Sequence, residues 1–299
     1  MRIGASILDS GTSPASTIVP AIRLHLSNHQ SQISCTNSLY SCAEYPRIEY
    51  PPRYLKAKGS SVSIEGWGKA PPSTPLTLWQ SIKANLDLWL VDHGFLRSLY
   101  SNRFCLPGAL YRSNQPSVAR IHRYKRDLGL KTIINLRGYN PTQGRYQLEA
   151  KACEEAGITL INTRVHSRGL PTADQINELK TLIDDFETPA LTHCKSGADR
   201  AGIFAVLYCH FRLGQPIDEA KEQLHWTYGH FRSAKTGILD HFFESYIRYR
   251  DAWKHQHPAA TEPTFLEWVN SDYDRDIMEH EFKPRGFANF WVDWVLRRE

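Results

Sequence analysis

The chain has 299 residues, room for one large domain or two modest ones, and 41% of them are apolar, ample for a core. A formal charge of +5 suits an anionic substrate, while no Lys/Arg block is dense enough to argue for nucleic acid. Six cysteines form neither a C-x-x-C pair nor a zinc spacing, Ser, Thr and Pro interrupt any early apolar run, and no stretch of about 18 apolar residues spans a bilayer.

Residues 1–75 are rich in Ser, Pro, Thr and Asn with little periodicity, and are expected to be disordered or loosely ordered. Order is expected to begin near Leu76. Over residues 78–100, Trp79, Ile82, Leu86, Trp89, Phe95 and Leu99 fall near helical spacing, for a helix packed on the domain or one that meets a membrane surface or a partner. A short strand follows near Tyr111, then a polar turn, and Pro116-Ser117 opens a helix reaching about Leu128. Arg112 in this stretch either lines a substrate mouth or makes a structural ion pair.

Residues 130–137 read as a buried strand from their β-branched run. Residues 146–156 read as a helix closed by Gly157, and 158–165 as the next strand. A helix is predicted from Ala173 to about Phe186, and 189–193 as a central strand. Past it, 202–213 is an apolar helix that must be buried, and 216–228 and 238–253 are two more. Residues 255–263 form a polar linker, and the aromatic-rich remainder is a helical extension whose last helix, 288–298, either docks or touches a membrane.

Between the 189–193 strand and the apolar helix lies His193-Cys194-Lys195-Ser196-Gly197-Ala198-Asp199-Arg200-Ala201-Gly202. If the amides of 195–200 curl inward at the helix start, they form a cup of N–H donors suited to a phosphate dianion. The same cup favours a thiolate at Cys194, the form that attacks phosphorus. Arg200, one turn into the helix, can close on two phosphate oxygens with its planar fork. Gly197 permits the dihedrals that such a cup demands.

Cys-(five residues)-Arg, with His before it and Gly202 after it, resembles the signature of the cysteine-dependent protein tyrosine phosphatase superfamily, and most of all its bacterial dual-specificity-like members. The resemblance covers residues 108–240. It implies an α/β fold: a central, mainly parallel sheet flanked by helices, with extra N- and C-terminal helices. The domains expected are the 1–75 segment, a catalytic domain over 76–255 and an extension over 256–299. The implied activity is metal-independent phosphomonoester hydrolysis through a cysteinyl-phosphate, without a cofactor. A cytoplasmic location is expected separately, from a free thiol that is safest in a reducing compartment and from the interrupted early apolar run. Cys194 is the implied nucleophile and Arg200 the clamp. Lys195, Ser196, Gly197, Ala198, Asp199 and Arg200 bind phosphate, and His193 supports cup and thiolate through a hydrogen bond. The substrate is a phosphorylated protein of the phosphotyrosine or dual-specificity type, or alternatively a phosphoinositide, inositol phosphate or other lipid phosphate, since Cys-Lys openings occur in relatives acting on phospholipids.

Two departures from the pattern stand out. Relatives often carry an acidic residue about thirty positions before the Cys, but residues 162–168 hold no carboxylate. Asp199, Asp174 and His166 are therefore the candidate acids, and myotubularin-like phosphatases place an Asp where Asp199 stands. Ala201 replaces the Ser or Thr that helps thiolate departure in many relatives, which predicts slow hydrolysis of the phosphoenzyme. Two other functions compete. A catalytically inactive phosphate-binding module would have no use for the thiol, and an arsenate-reducing or sulfur-transfer enzyme would want resolving cysteines, for which Cys153 and Cys209 qualify by type.

Overall fold

The computed structural model describes residues 68–71, 77, 79, 103–166 and 169–282. They belong to one compact unit, Cys35–Glu299. Among them six strands form one sheet: β1 (Gly68–Lys69), β2 (Phe104–Leu106), β3 (Leu110–Asn114), β4 (Thr132–Asn135), β5 (Thr159–Asn162) and β6 (Ala190–Cys194), in the order β1-β5-β4-β6-β3-β2. The inner four are parallel, and the edge strands β1 and β2 run antiparallel to their neighbours.

Successive residues of the inner strands feed opposite faces, as a period of two requires. Ile133, Leu160 and Leu191 pack under α1 (Val118–Leu128) and α2 (Gly144–Glu155), while Ile134, Ile161 and Ala190 meet α3 (Ala173–Asp185) and α4 (Asp199–Phe211). Helices cover both faces, so the central strands β4 and β6 are buried throughout. α1 begins at Ser117, whose side chain accepts from the Arg120 amide, and Gly129 ends it in the left-handed region. α4 is apolar all round because it is enclosed, with residues 201–209 all buried.

β6 lies between β3 and β4, although the chain reaches it last. The winding thus reverses beside β6, and a crevice at the carboxyl ends of the strands is the expected ligand site of such a sheet.

The structure departs from the sequence expectations in several places. Within the segment expected to be disordered, Gly68 and Lys69 pair with Asn162 and Ile161. Joining a sheet edge takes only backbone groups, so no side-chain pattern announces it. β2 was also unforeseen. The helix expected over 216–228 is cut to α5 (Ile217–Ala220) and two 3-10 turns, Lys221–Gln223 and Trp226–Tyr228. α6 (Ile238–Gln256) runs three residues past its expected end.

In the extension, α7 (Phe265–Ser271) and α8 (Arg275–Glu281) join the main core through Phe265, Trp268, Val269 and Met278. No helix among the described residues is long and apolar enough to cross a membrane. The helices expected over 78–100 and 288–298 lie outside the described residues.

Candidate active site

β6 delivers Cys194 to the carboxyl edge of the sheet, and the chain turns through 195–198 into α4. Ala198, at the N-cap of this thirteen-residue helix, supplies no side-chain cap. The Gly197 N–H points at Cys194 Sγ, 3.2 Å away. Gly197 has φ of +79°, and a Cβ there would lie 2.6 Å from the Ser113 carbonyl carbon and 2.7 Å from the Asn114 nitrogen. Only glycine lets the loop lie against the end of β3 in this conformation.

Arg112 holds the loop from behind. It is fully buried, so it does not line a substrate mouth, and its partners are mostly carbonyls rather than the carboxylate of an ion pair. Its Nη2 donates to Gly197 O (3.0 Å) and Ala198 O (2.9 Å), and its Nη1 to Gln223 O (2.7 Å) and Gln223 Oε1 (3.1 Å). The guanidinium also stacks 4.2 Å over the Tyr228 ring. Burial pushes its pKa down to about 10, with Tyr228 and Cys194 opposing, which leaves it charged at neutral pH. A trans peptide puts C=O and N–H on opposite sides, so drawing the carbonyls of 197 and 198 toward Arg112 turns the amides of Ala198 and Asp199 away from it. The break in the 216–228 helix has its reason here: the Gln223 carbonyl bonds Arg112 instead of continuing a helix.

The loop's opening is fixed by β3 and β4. The Gln115 amide donates to Lys195 O at 3.4 Å, and Arg137 Nη1 donates to Gln115 Oε1 at 3.1 Å. Lys195, Ser196 and Arg200 are half-buried, whereas Gly197, Ala198 and Asp199 are buried.

His193 is buried, and no hydrogen bond joins it to the thiol. Its Nε2 lies 2.6 Å from Glu149 Oε1 of α2, in a close contact that is not an aligned hydrogen bond, and Nδ1 has no hydrogen-bond partner. Asp199 Oδ1 lies 2.8 Å from His230 Nδ1, and His230 Nε2 lies 2.7 Å from Asp240 Oδ2 of α6. Burial alone would lower the His230 pKa, but the bonds to both carboxylates outweigh it and push the imidazole up to about 8.

The other two candidate acids are less favourably placed. Asp174 is exposed in the first turn of α3. His166 is also exposed, and partial burial followed by the charges of Arg164, Arg275 and Arg200 holds it below its ordinary value. Cys153 and Cys209 are free, buried thiols; burial pushes both up, Cys209 to about 12, so neither is poised to react. Cys105 is disulfide-bonded.

Sequence reasoning missed Arg137, Glu149, Gln223, His230 and Asp240, and no local motif marks any of them.

Residues 106–232 match the family model described as DSP-PTPase phosphatase fused to NAD+ kinase. No curated protein matches the chain. Among solved structures, TpbA of P. aeruginosa in complex with pTyr is 18% identical, over 56% of this chain and 82% of its own, at a TM-score of 0.35. PTPMT1 is 18% identical, over 50% and 98%, at 0.38. Tk-PTP in a mutant form is 16% identical, over 49% and 97%, at 0.37.

Proposed function

We propose, from the premise that residues 106–232 form a cysteine-dependent, dual-specificity-like phosphatase domain, that the chain hydrolyses phosphomonoesters without a metal ion, with Cys194 as nucleophile. The observation that carries this reading is the loop itself. A backbone N–H already points at the sulfur, and a buried arginine draws the carbonyls of 197 and 198 to the far side, so the cup is organised before phosphate arrives. In the first step the Cys194 thiolate attacks phosphorus while the amides of 195–200 and the Arg200 guanidinium take up charge on the equatorial oxygens. The S–P bond forms as the ester P–O bond breaks. In the second step water attacks phosphorus and the thiolate departs.

Asp199 is the proton donor to the leaving oxygen in this reading. It is the carboxylate of the loop itself and adjoins the clamp. His166, with its imidazole held below its ordinary value, carries little spare proton at neutral pH.

The substrate assigned first is a phosphorylated protein side chain, with phosphotyrosine foremost. Arg164, whose charge acts on His166 together with that of Arg200, favours a second reading in which the substrate bears further phosphates, as inositol phosphates and phosphoinositides do.

The test is turnover of p-nitrophenyl phosphate in EDTA by wild type and Cys194→Ser. Wild-type turnover abolished by the substitution, a loss of about 10³-fold or more, supports the mechanism. Turnover that survives in Cys194→Ser, or that EDTA abolishes, sinks it. Phosphotyrosine peptides set against phosphoinositide vesicles then separate the two substrate readings by kcat/KM.

A further inference from the structure

We propose that His230, held between Asp199 and Asp240, is a positioning residue and proton store that reloads Asp199, so that the acid of the reaction is the Asp199–His230 pair rather than a lone carboxylate. The inference rests on the phosphatase reading above and extends it.

Three observations carry it. First, the three side chains form one unbroken chain. Asp199 Oδ1 meets one ring nitrogen at 2.8 Å and Asp240 Oδ2 meets the other at 2.7 Å, with the imidazole itself 1% exposed. A ring bonded to a carboxylate at each nitrogen is a donor at both. Second, the inner end of the chain is the residue next to Arg200, inside the phosphate loop. Third, the outer end reaches water. His230 and Asp240 line a cavity of about 630 Å³ whose wall also carries Lys221, Glu222, His225, Arg232 and Glu244. Of these charged groups, Lys221 and Arg232 face Glu244, at 3.9 and 2.6 Å, leaving the two aspartates as the charges bonded to the ring.

The protons balance without a co-reactant. At rest Asp199 is a carboxylate and His230 an imidazolium. As the ester bond breaks, its electron pair goes to the leaving oxygen; the Nδ1 proton of His230 passes to Asp199 and from Asp199 to that oxygen, leaving a carboxylate and a neutral imidazole. When water attacks the cysteinyl-phosphate, its proton passes to Asp199 and back to Nδ1, and the electrons of the S–P bond return to sulfur. The net reaction is ester plus water to alcohol plus phosphate, and the pair ends as it began. Since the imidazolium is the active form, turnover of a poor leaving group falls as pH rises through about 8.

The discriminating variant is His230→Asn. Its amide can still donate to Asp199 from near the Nδ1 position but has no proton to release. Wild type and variant are compared on p-nitrophenyl phosphate, whose leaving group needs little protonation, and on phosphotyrosine and a phosphoserine peptide, whose leaving groups need it. The expected result is a loss within about 3-fold on the first and about 10- to 100-fold on the others, with the alkaline limb of kcat gone. An equal loss on all three esters makes His230 merely structural and overturns the proposal, as does no loss on any.

Asp240→Asn keeps the ring and guards against a variant that fails to fold. With one of its two anionic partners gone, the alkaline limb should move below that of wild type, and an unmoved limb overturns the relay. An active wild type with a His230→Asn variant that lacks the graded loss would overturn this inference alone, whereas wild type silent on every ester would overturn the phosphatase reading together with it.

Discussion

Two buried histidines flank the loop 195–200, and they are held in different ways. His193 ends β6 beside Cys194 and meets a single carboxylate, Glu149, on the face covered by α1 and α2. The contact is close but poorly aligned, and the other ring nitrogen has no hydrogen-bond partner. His230 sits beyond the other end of the loop, bonded at both nitrogens, with its outer partner on a cavity wall. A histidine sealed on every side can fix the position of a strand, but it has no path by which to exchange a proton. One that joins a loop carboxylate to a cavity can do both. Burial is nearly equal at the two sites, so burial does not separate the roles; the second partner and the route to water do.

The largest effect that bears on this contrast is expected at Gly197, because both histidines act on chemistry only through the loop between them. In Gly197→Ala the new Cβ meets backbone of β3 that cannot swing aside, and turnover of every ester should fall by about 100-fold or more as the amides leave their positions. Steady-state kinetics on a sample with a native circular dichroism spectrum checks this, and near-wild-type turnover would mean that the cup is not shaped by this contact.

Next in size, Glu149→Ala should cost about 2–3 kcal/mol of stability, by leaving His193 buried with no partner, and should depress kcat equally for good and poor leaving groups. A melting curve and the same three esters are the measurements. A loss graded with leaving group would erase the distinction between the two histidines.

The smallest effect is in the pH dependence of stability. The folded pKa of His230, about 8, lies above its ordinary value of 6.5. The pair therefore contributes its full stabilisation below about pH 6.5 and loses it as pH rises through 8. Chemical denaturation across this range should show stability of the wild type declining and His230→Asn lacking that decline; parallel curves would mean that the ring is not charged in the folded protein.

The parts of the site legible in the sequence are those written into one short stretch. Cys194, Arg200 and the glycine between them follow from the geometry of a strand, a tight loop and a helix start, each a local matter. The inner strands were legible for a similar reason, since a strand buried on both faces must be apolar at consecutive positions. Arg112 illustrates the other case. From sequence it was an arginine near a polar turn with two readings open. Its partners Gly197 and Gln223 lie 85 and 111 residues away, and a guanidinium that binds carbonyls needs no complementary side chain to advertise the pairing.

His230 was hidden for a related reason. It stands between the helices expected over 216–228 and 238–253, 31 residues past Asp199, and only the packing of α6 against that stretch brings Asp240 to its second nitrogen. The sequence by itself determined an α/β chain with a cysteine loop between its central strand and its apolar helix, because alternation, helical period and loop dihedrals are set by neighbours along the chain. The tertiary structure alone decided which arginine stands behind the loop, which histidine is sealed and which is linked to a cavity. Those are contacts between residues far apart in sequence, and hydrogen-bonding groups leave no periodic trace of the partners they will meet.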